Sequence, residues 1–217
     1  MRLRKILLAF LPMLLASGHV SADVEFYTGL AIGQSDSEAR GSDVAARLSS
    51  YDVDSVSVDG DDTGWRFYVG LTFTDILAIE FGYADLGDVS TNVAADISPS
   101  ETAQFATDVA NALPVMPAGL TLAGVARFGF ADMGATGPLA QKLSVALRLG
   151  MIDADSDRDA TGASGRDESD ASPYYGVSLG MDFNDNWRGS VGYEVFNMDD
   201  RAGFWSAGVE YRIPKNQ

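Results

Sequence analysis

The chain has 217 residues, no cysteine, and 31 acidic against 15 basic residues, for a net charge of −16. Because so acidic a chain repels nucleic acid and anionic surfaces, we expect no nucleic-acid partner. The lack of cysteine excludes disulfide bonds, and no stretch beyond the N-terminal region has the ~18 uninterrupted apolar residues of a transmembrane helix.

The first predicted element is a secretory signal peptide over residues 1–22, which leaves one domain at 23–217. Arg2, Arg4 and Lys5 precede an apolar stretch at 6–16, and Val20-Ser21-Ala22 matches a small-x-small cleavage pattern. The apolar stretch is too short for a membrane anchor, which needs ~20 residues. Removal of this segment leaves 12 basic and 31 acidic residues, a net charge of −19, on a chain that leaves the cytoplasm.

Eight later segments alternate apolar residues with polar or small ones, and this period of two predicts strands. In residues 65–73 and 77–83 every second residue is apolar, whereas Arg66, Gly70 and Glu80 lie between them. The predicted strands in chain order are 26–34, 65–73, 77–83, 121–131, 143–152, 174–183, 187–197 and 203–213.

The connections between these strands alternate in length. Residues 74–76 and 184–186 form compact turns and 132–142 a medium one, whereas 35–63, 88–120 and 153–173 are long loops, with a shorter one around 198–202. This pattern predicts an all-β fold, an eight-stranded antiparallel up-and-down transmembrane β-barrel. Aromatic residues near both strand ends indicate two interfacial girdles. The alternative is a soluble antiparallel barrel or sandwich, whose apolar face would point inward.

The second long loop contains a predicted helix over residues 99–113. Ser98 and Glu101 form a capping-box pattern around Pro99, and apolar residues recur at helical spacing. We expect a short helix in an extracellular loop, which folds back on its own rim, covers the barrel or offers an apolar face to a partner.

The third long loop holds seven acidic and two basic residues, with oxygen ligands at Asp153, Asp155, Asp157 and Asp159. It fails the EF-hand pattern, because Arg158 stands at the glycine position and Ser164 at the closing glutamate. A solvated acidic loop is the expected interpretation, and a loose divalent-cation site near lipopolysaccharide is the alternative.

The segments WRFYVGLTFTDILAIEFGYADLG, FYTGLAIG, VARFGF, GVSLGMDFNDN and SAGVEYRI together span nearly the whole mature chain. In their order and spacing they resemble the OmpA-like transmembrane barrel family. The resemblance implies an eight-stranded barrel with a side-chain-filled interior, and charged plug positions at Glu80, Arg127, Arg148 and Asp182. Ala31 and Ser190 stand where some relatives carry interior lysine and arginine, which implies different wiring of the plug.

Strand alternation directs nine charged side chains inward. Five are basic and four acidic, and because a low-dielectric interior penalises an unpaired charge, we expect them to pair. An eight-stranded barrel is just wide enough to be filled by its own side chains. The sequence therefore predicts a structural plug, with an ion path as the alternative; its residues are Arg66, Glu80, Arg127, Arg148, Asp182, Arg188, Glu194, Glu210 and Arg212.

Catalysis is not expected. The single histidine, His19, lies in the predicted signal peptide, so serine–histidine, cysteine–histidine and zinc–histidine chemistries have no base or ligand in the mature chain. We expect no cofactor and no metal centre.

The sequence predicts a monomeric barrel in a Gram-negative outer membrane, in contact with lipid and lipopolysaccharide. Its expected role is structural, or an adhesin-like contact of the acidic loops with a surface ligand or host partner; the alternative is a narrow channel for small or hydrophobic solutes.

Overall fold

The computed structural model describes residues 24–114, 116–156, 159–160, 163–164, 168–198 and 200–214. Within these ranges the helices are α1 (Gly41–Arg47) and α2 (Thr102–Ala112). The strands are β1 (Glu25–Ser37), β2 (Val53–Asp59), β3 (Asp61–Thr72), β4 (Leu77–Asp85), β5 (Ser90–Ala95), β6 (Ala118–Gly129), β7 (Leu143–Ser156), β8 (Asp159–Ala160), β9 (Ala163–Ser164), β10 (Glu168–Asp182), β11 (Trp187–Asn197) and β12 (Arg201–Arg212). No helix in the described ranges is long and apolar enough to cross a membrane.

Eight strands close into one antiparallel barrel. The order around the barrel is β1-β12-β11-β10-β7-β6-β4-β3, and β3 pairs again with β1. The predicted eight-stranded barrel is thus confirmed, and each predicted strand overlaps an observed one. Closure pairs the backbone of every barrel strand on both sides, so the wall has no sheet edge.

The two faces of the wall differ in chemistry. Outward side chains are aliphatic and exposed, such as Leu147 at 52% and Leu149 at 70%, whereas inward Arg66 and Glu80 are each 2% exposed. Because successive side chains in a strand point to opposite faces, the alternation in sequence becomes an apolar exterior and a polar interior.

Interior glycines make room for the bulky side chains. Gly29 is registered opposite Tyr68, and Gly70 opposite Tyr27. A Cβ on Gly29 would lie 2.2 Å from Tyr68 Cζ, and one on Gly70 would lie 2.1 Å from Tyr27 Cζ. Each tyrosine ring therefore occupies the space left by the glycine across from it, as close packing requires.

The loops at the end opposite the short turns form a folded head of α1, α2, β2 and β5. Strands β2 and β5 pair with each other. Gly60 separates β2 from the barrel strand β3, and residues 86–89 separate the barrel strand β4 from β5. Val44 of α1 and Leu48, the residue that follows this helix, are buried with Ala112 of α2, and several valines of the small sheet pack against them. This cluster gives the loop head a hydrophobic core of its own.

The predicted helix forms, but its start differs from the prediction. It begins at Thr102 with Glu101 as N-cap and no side-chain cap. The Ser98 hydroxyl donates to the Glu101 carboxylate instead of accepting a backbone N–H, so the predicted capping box is wrong. The helix folds back on its own loops, where Phe105 contacts Tyr51 edge-to-face at 4.9 Å.

Two elements in the first long loop were not predicted. Helix α1 has only seven residues, too few for a periodic signal, although Val44 and Leu48 have the i, i+4 spacing of a buried helix face. The alternation of Val56 and Val58 with serines marks β2, but the acidic residues around it favoured a loop.

Candidate functional site

A four-residue cluster of ion pairs fills the middle of the barrel. Arg66 donates to Glu194 at 2.9 Å and to Glu80 at 3.0 Å. Arg148 donates to the same two carboxylates, at 2.6 Å to Glu194 and 2.8 Å to Glu80. With two positive and two negative members, this central quartet compensates its own charge within the low-dielectric interior.

Four different strands bring the quartet together. Arg66 lies on β3, Glu80 on β4, Arg148 on β7 and Glu194 on β11. Gly176 is registered opposite both Arg148 and Glu194, so the longer side chains have space to cross the lumen. Their convergence is a consequence of barrel closure, since up to 128 positions separate the partners in sequence.

Two tyrosines complete the quartet. The Tyr27 hydroxyl donates to Glu80 at 3.1 Å, and the Arg66 guanidinium lies 4.4 Å from the centre of the Tyr68 ring, within the range of a cation–π contact. Neither tyrosine was among the predicted site residues. Strand alternation could have indicated both, because each tyrosine lies two positions from an inward glycine on its own strand and so faces the interior.

The other five predicted site residues lie together nearer the short turns. Arg127 donates to Glu210 at 2.9 Å. Arg188 makes a bidentate contact with Asp182, at 2.8 and 3.0 Å, and Arg212 donates to the same carboxylate. This turn-end cluster has three basic and two acidic members.

The turn-end cluster borders a cavity of about 330 Å³ lined by all three of its arginines. Glu25 and Asp75 also line the cavity, so its wall carries both signs of charge. Arg188 Nη1 and Glu210 Oε1 are buried, lie 4.0 Å apart and have no hydrogen-bond partner among the described residues. Arg66 Nε of the central quartet is likewise buried without such a partner.

An apolar cluster fills the loop end of the lumen. The rings of Tyr174 and Phe196 stack at 4.9 Å, and Phe204 and Leu86 pack into the same fully buried cluster. Leu86 belongs to the loop after β4 and is held by its carbonyl, which accepts from the Ser35 hydroxyl. We call this cluster of Tyr174, Phe196, Phe204 and Leu86 the apolar seal. It was not predicted from the sequence, although strand alternation directs the aromatic residues near the loop ends of β10, β11 and β12 inward and could have indicated it.

The loop head is strongly acidic. The first long loop, residues 35–63, has eight acidic and two basic residues, and residues 88–120 have four acidic and none basic. Tyr51 donates to Asp108 and so joins the two loops. This hydrogen bond to a carboxylate raises the pKa of Tyr51 to about 12.

The predicted calcium-like run lies largely outside the part of the chain that can be described. Asp153 belongs to β7, whereas the side chains of Asp155, Asp157 and Asp159 lie outside the described residues. Among the residues that are described, no group of three or more acidic, histidine or cysteine side chains is arranged to hold a metal ion.

Taken together, the wall and the interior define a transmembrane β-barrel. Exposed Leu, Val and Ile side chains lie on seven of the eight barrel strands, all except β6. The band that they form exceeds the apolar patch that a soluble monomer exposes. Outward aromatic pairs border this band, with Trp65 and Tyr83 at 5.6 Å on the loop side and Trp187 and Tyr211 at 4.8 Å on the turn side. Such girdles mark the two interfaces of a bilayer.

Comparison with known proteins agrees with this class. The model of the outer membrane protein β-barrel domain family matches residues 6–212, so the chain belongs to this family and is an outer-membrane β-barrel protein. The OmpA-like resemblance is confirmed at this level. A search of curated protein sequences found no match.

Several solved structures share the fold. OprG from Pseudomonas aeruginosa is 11% identical, with a TM-score of 0.50, and the match covers 89% of this chain and 98% of OprG. Ail from Yersinia pestis, solved with the heparin analogue sucrose octasulfate, is 16% identical over 87% of this chain and 99% of Ail, with a TM-score of 0.44. Neisserial surface protein A is 17% identical, with a TM-score of 0.43, and the match covers 87% of this chain and 97% of that protein.

Proposed function

We propose that this outer-membrane barrel has a structural and adhesin-like role, in which a filled, non-conducting barrel anchors an acidic loop head that contacts a cationic partner. The observation that carries the proposal is the division of the molecule into a lumen filled by the apolar seal and the central quartet and a head with its own core. In the proposal, residues 1–22 are the export signal, and the barrel is a monomer surrounded by lipid and, at the loop end, lipopolysaccharide.

The filled lumen is tested by conductance. We expect the purified full-length protein to give no steady current in planar bilayers, because the central quartet and the apolar seal occupy the path in series. Steady, porin-like current steps would contradict the proposal and favour the channel.

The acidic head is tested by binding to a cationic surface. We expect the protein in nanodiscs to bind immobilised polylysine, and binding to weaken as salt screens the exposed charges. Replacing the exposed Asp52, Asp54 and Asp59 by Asn should reduce binding. The matched control replaces exposed Ser49, Ser55 and Ser57 by Asn, which leaves the charge unchanged; equal binding by both variants would refute the role of the head charge.

A narrow channel is the second candidate function, and the turn-end cavity is the observation that favours it. In our proposal this cavity is a blind vestibule, because it leads to the central quartet. A lateral route for hydrophobic solutes finds little support, since the described registers run without interruption along both sides of strands such as β6 and β10.

The proposal includes no catalytic role. Beyond residue 22 the chain has neither histidine nor cysteine, and the interior carboxylates of Glu80 and Glu194 are held in ion pairs with arginine. Groups held in this way are suited to structure rather than to acid–base turnover.

A further inference from the structure

The lipid-facing wall has an apolar groove on the side formed by β4, β6 and β7. The groove has a volume of about 420 Å³ and is lined mainly by Leu77, Ile79, Gly124, Ala126, Leu147 and Leu149. This volume is within the range of ~300–1,000 Å³ that is typical of small-molecule sites.

The groove has a simple origin in the register. Ile79 on β4 and Leu149 on β7 flank Gly124 of β6, and Leu77 and Leu147 flank Ala126 in the next outward row. In each of these two rows, a small residue on β6 therefore lies between two large side chains on β4 and β7. The small residues of β6 form the floor, and the exposed side chains of its neighbours form the walls.

Gly124 is unlike the other outward glycines of the described strands. A Cβ on Gly189 would lie 2.7 Å from the Phe183 ring, and one on Gly203 would lie 2.6 Å from the Tyr193 hydroxyl. Both positions are thus covered by an aromatic side chain. At Gly124 a Cβ would meet among the described atoms only the Leu149 carbonyl oxygen, at 4.0 Å. Neither a close contact nor a positive φ requires glycine here, so its effect is to leave space on the wall.

We infer that this groove binds one acyl chain of a membrane lipid in a fixed position. The groove is continuous with the apolar band that faces the bilayer, and an empty cleft there would forfeit dispersion contacts. A second copy of the barrel fits less well, because a two-fold interface centred on the groove would place groove against groove and leave both unfilled.

Photocrosslinking in vesicles tests the inference. The full-length protein is reconstituted into dioleoylphosphatidylcholine vesicles that contain a phosphatidylcholine with a diazirine near the middle of one chain, and labelled peptides are quantified by mass spectrometry. We expect label on β4 and β7 around Ile79 and Leu149 to exceed, several-fold, that on the opposite wall around Val209. Gly124→Leu, which fills the floor, should abolish this excess.

Ala207→Leu is the matched control, because Ala207 is an exposed small residue on β12, four strands from β6 in the barrel order. It should leave the excess unchanged. Heat-modifiable migration of each variant on a gel shows separately that the barrel has folded. Even labelling around the wall, an excess that survives Gly124→Leu in a folded barrel, or barrel-to-barrel crosslinks at the groove in place of lipid adducts would each overturn the inference.

Discussion

At the scale of single residues, Glu80 accepts more hydrogen bonds than the other interior carboxylates of the described residues. Its carboxylate accepts from Arg66, Arg148 and Tyr27. Glu80→Gln keeps the size of the side chain but leaves two buried guanidinium groups without a full counter-charge. We expect the free energy of unfolding to fall by ~3–5 kcal/mol, the usual cost of breaking a buried ion pair. Denaturant unfolding in vesicles, followed by tryptophan fluorescence, measures this change.

The same substitution at the surface is the control. Glu38 lies 3.6 Å from Arg201, with side-chain exposures of 60% and 53%. Glu38→Gln should cost less than ~1 kcal/mol, because an exposed pair is hydrated and screened. Equal effects at Glu38 and Glu80 would show that burial of the quartet does not matter to stability.

Packing against the barrel wall can be tested at two glycines, one that faces the interior and one that faces the lipid. Gly70→Ala places a Cβ against the Tyr27 ring, and we expect a loss of ~1–3 kcal/mol from overpacking. Gly124→Ala enters open space, so its effect should be neutral or a gain of up to ~1 kcal/mol from reduced freedom of the unfolded chain. Unfolding midpoints of the two variants check this difference, and a reversed order would contradict the described packing of Tyr27.

At the scale of elements, the loop head depends on a core separate from the barrel. Leu48, at the C-terminal end of α1, is fully buried in that core, so Leu48→Ala should destabilise it by ~2–5 kcal/mol. We expect faster amide hydrogen exchange in α2, β2 and β5, with barrel strands unchanged. Exposed Ser49→Ala is the control. Exchange that rises equally in the barrel would mean that head and barrel form one cooperative unit.

At the scale of the whole molecule, closure governs resistance to unfolding. Because every barrel strand is paired on both sides, no strand can leave without breaking two ladders. We expect the folded protein to stay compact in sodium dodecyl sulfate at room temperature and to migrate differently after boiling. The same mobility before and after boiling would contradict a closed barrel.

Much of the architecture could be predicted from local pattern. The positions of the eight strands and the apolar or charged character of each face follow from a period of two, which each strand carries in its own residues. The nine charged residues predicted to face inward were chosen from strand alternation alone, and the structure places them in two clusters. Features with short or mixed patterns, such as α1 and β2, were missed because their order comes from the shared core around Val44 and Leu48.

The sequence by itself determined which side chains face inward and which face outward, because alternation is a property of the strand. Only the tertiary structure decided that Arg66 and Arg148 share Glu80 and Glu194, that Tyr174, Phe196 and Phe204 seal the loop end, and that Gly124 opens a groove between β4 and β7. These contacts depend on how the strands are registered around the closed barrel, and register is set by the whole ring of strands rather than by any one of them.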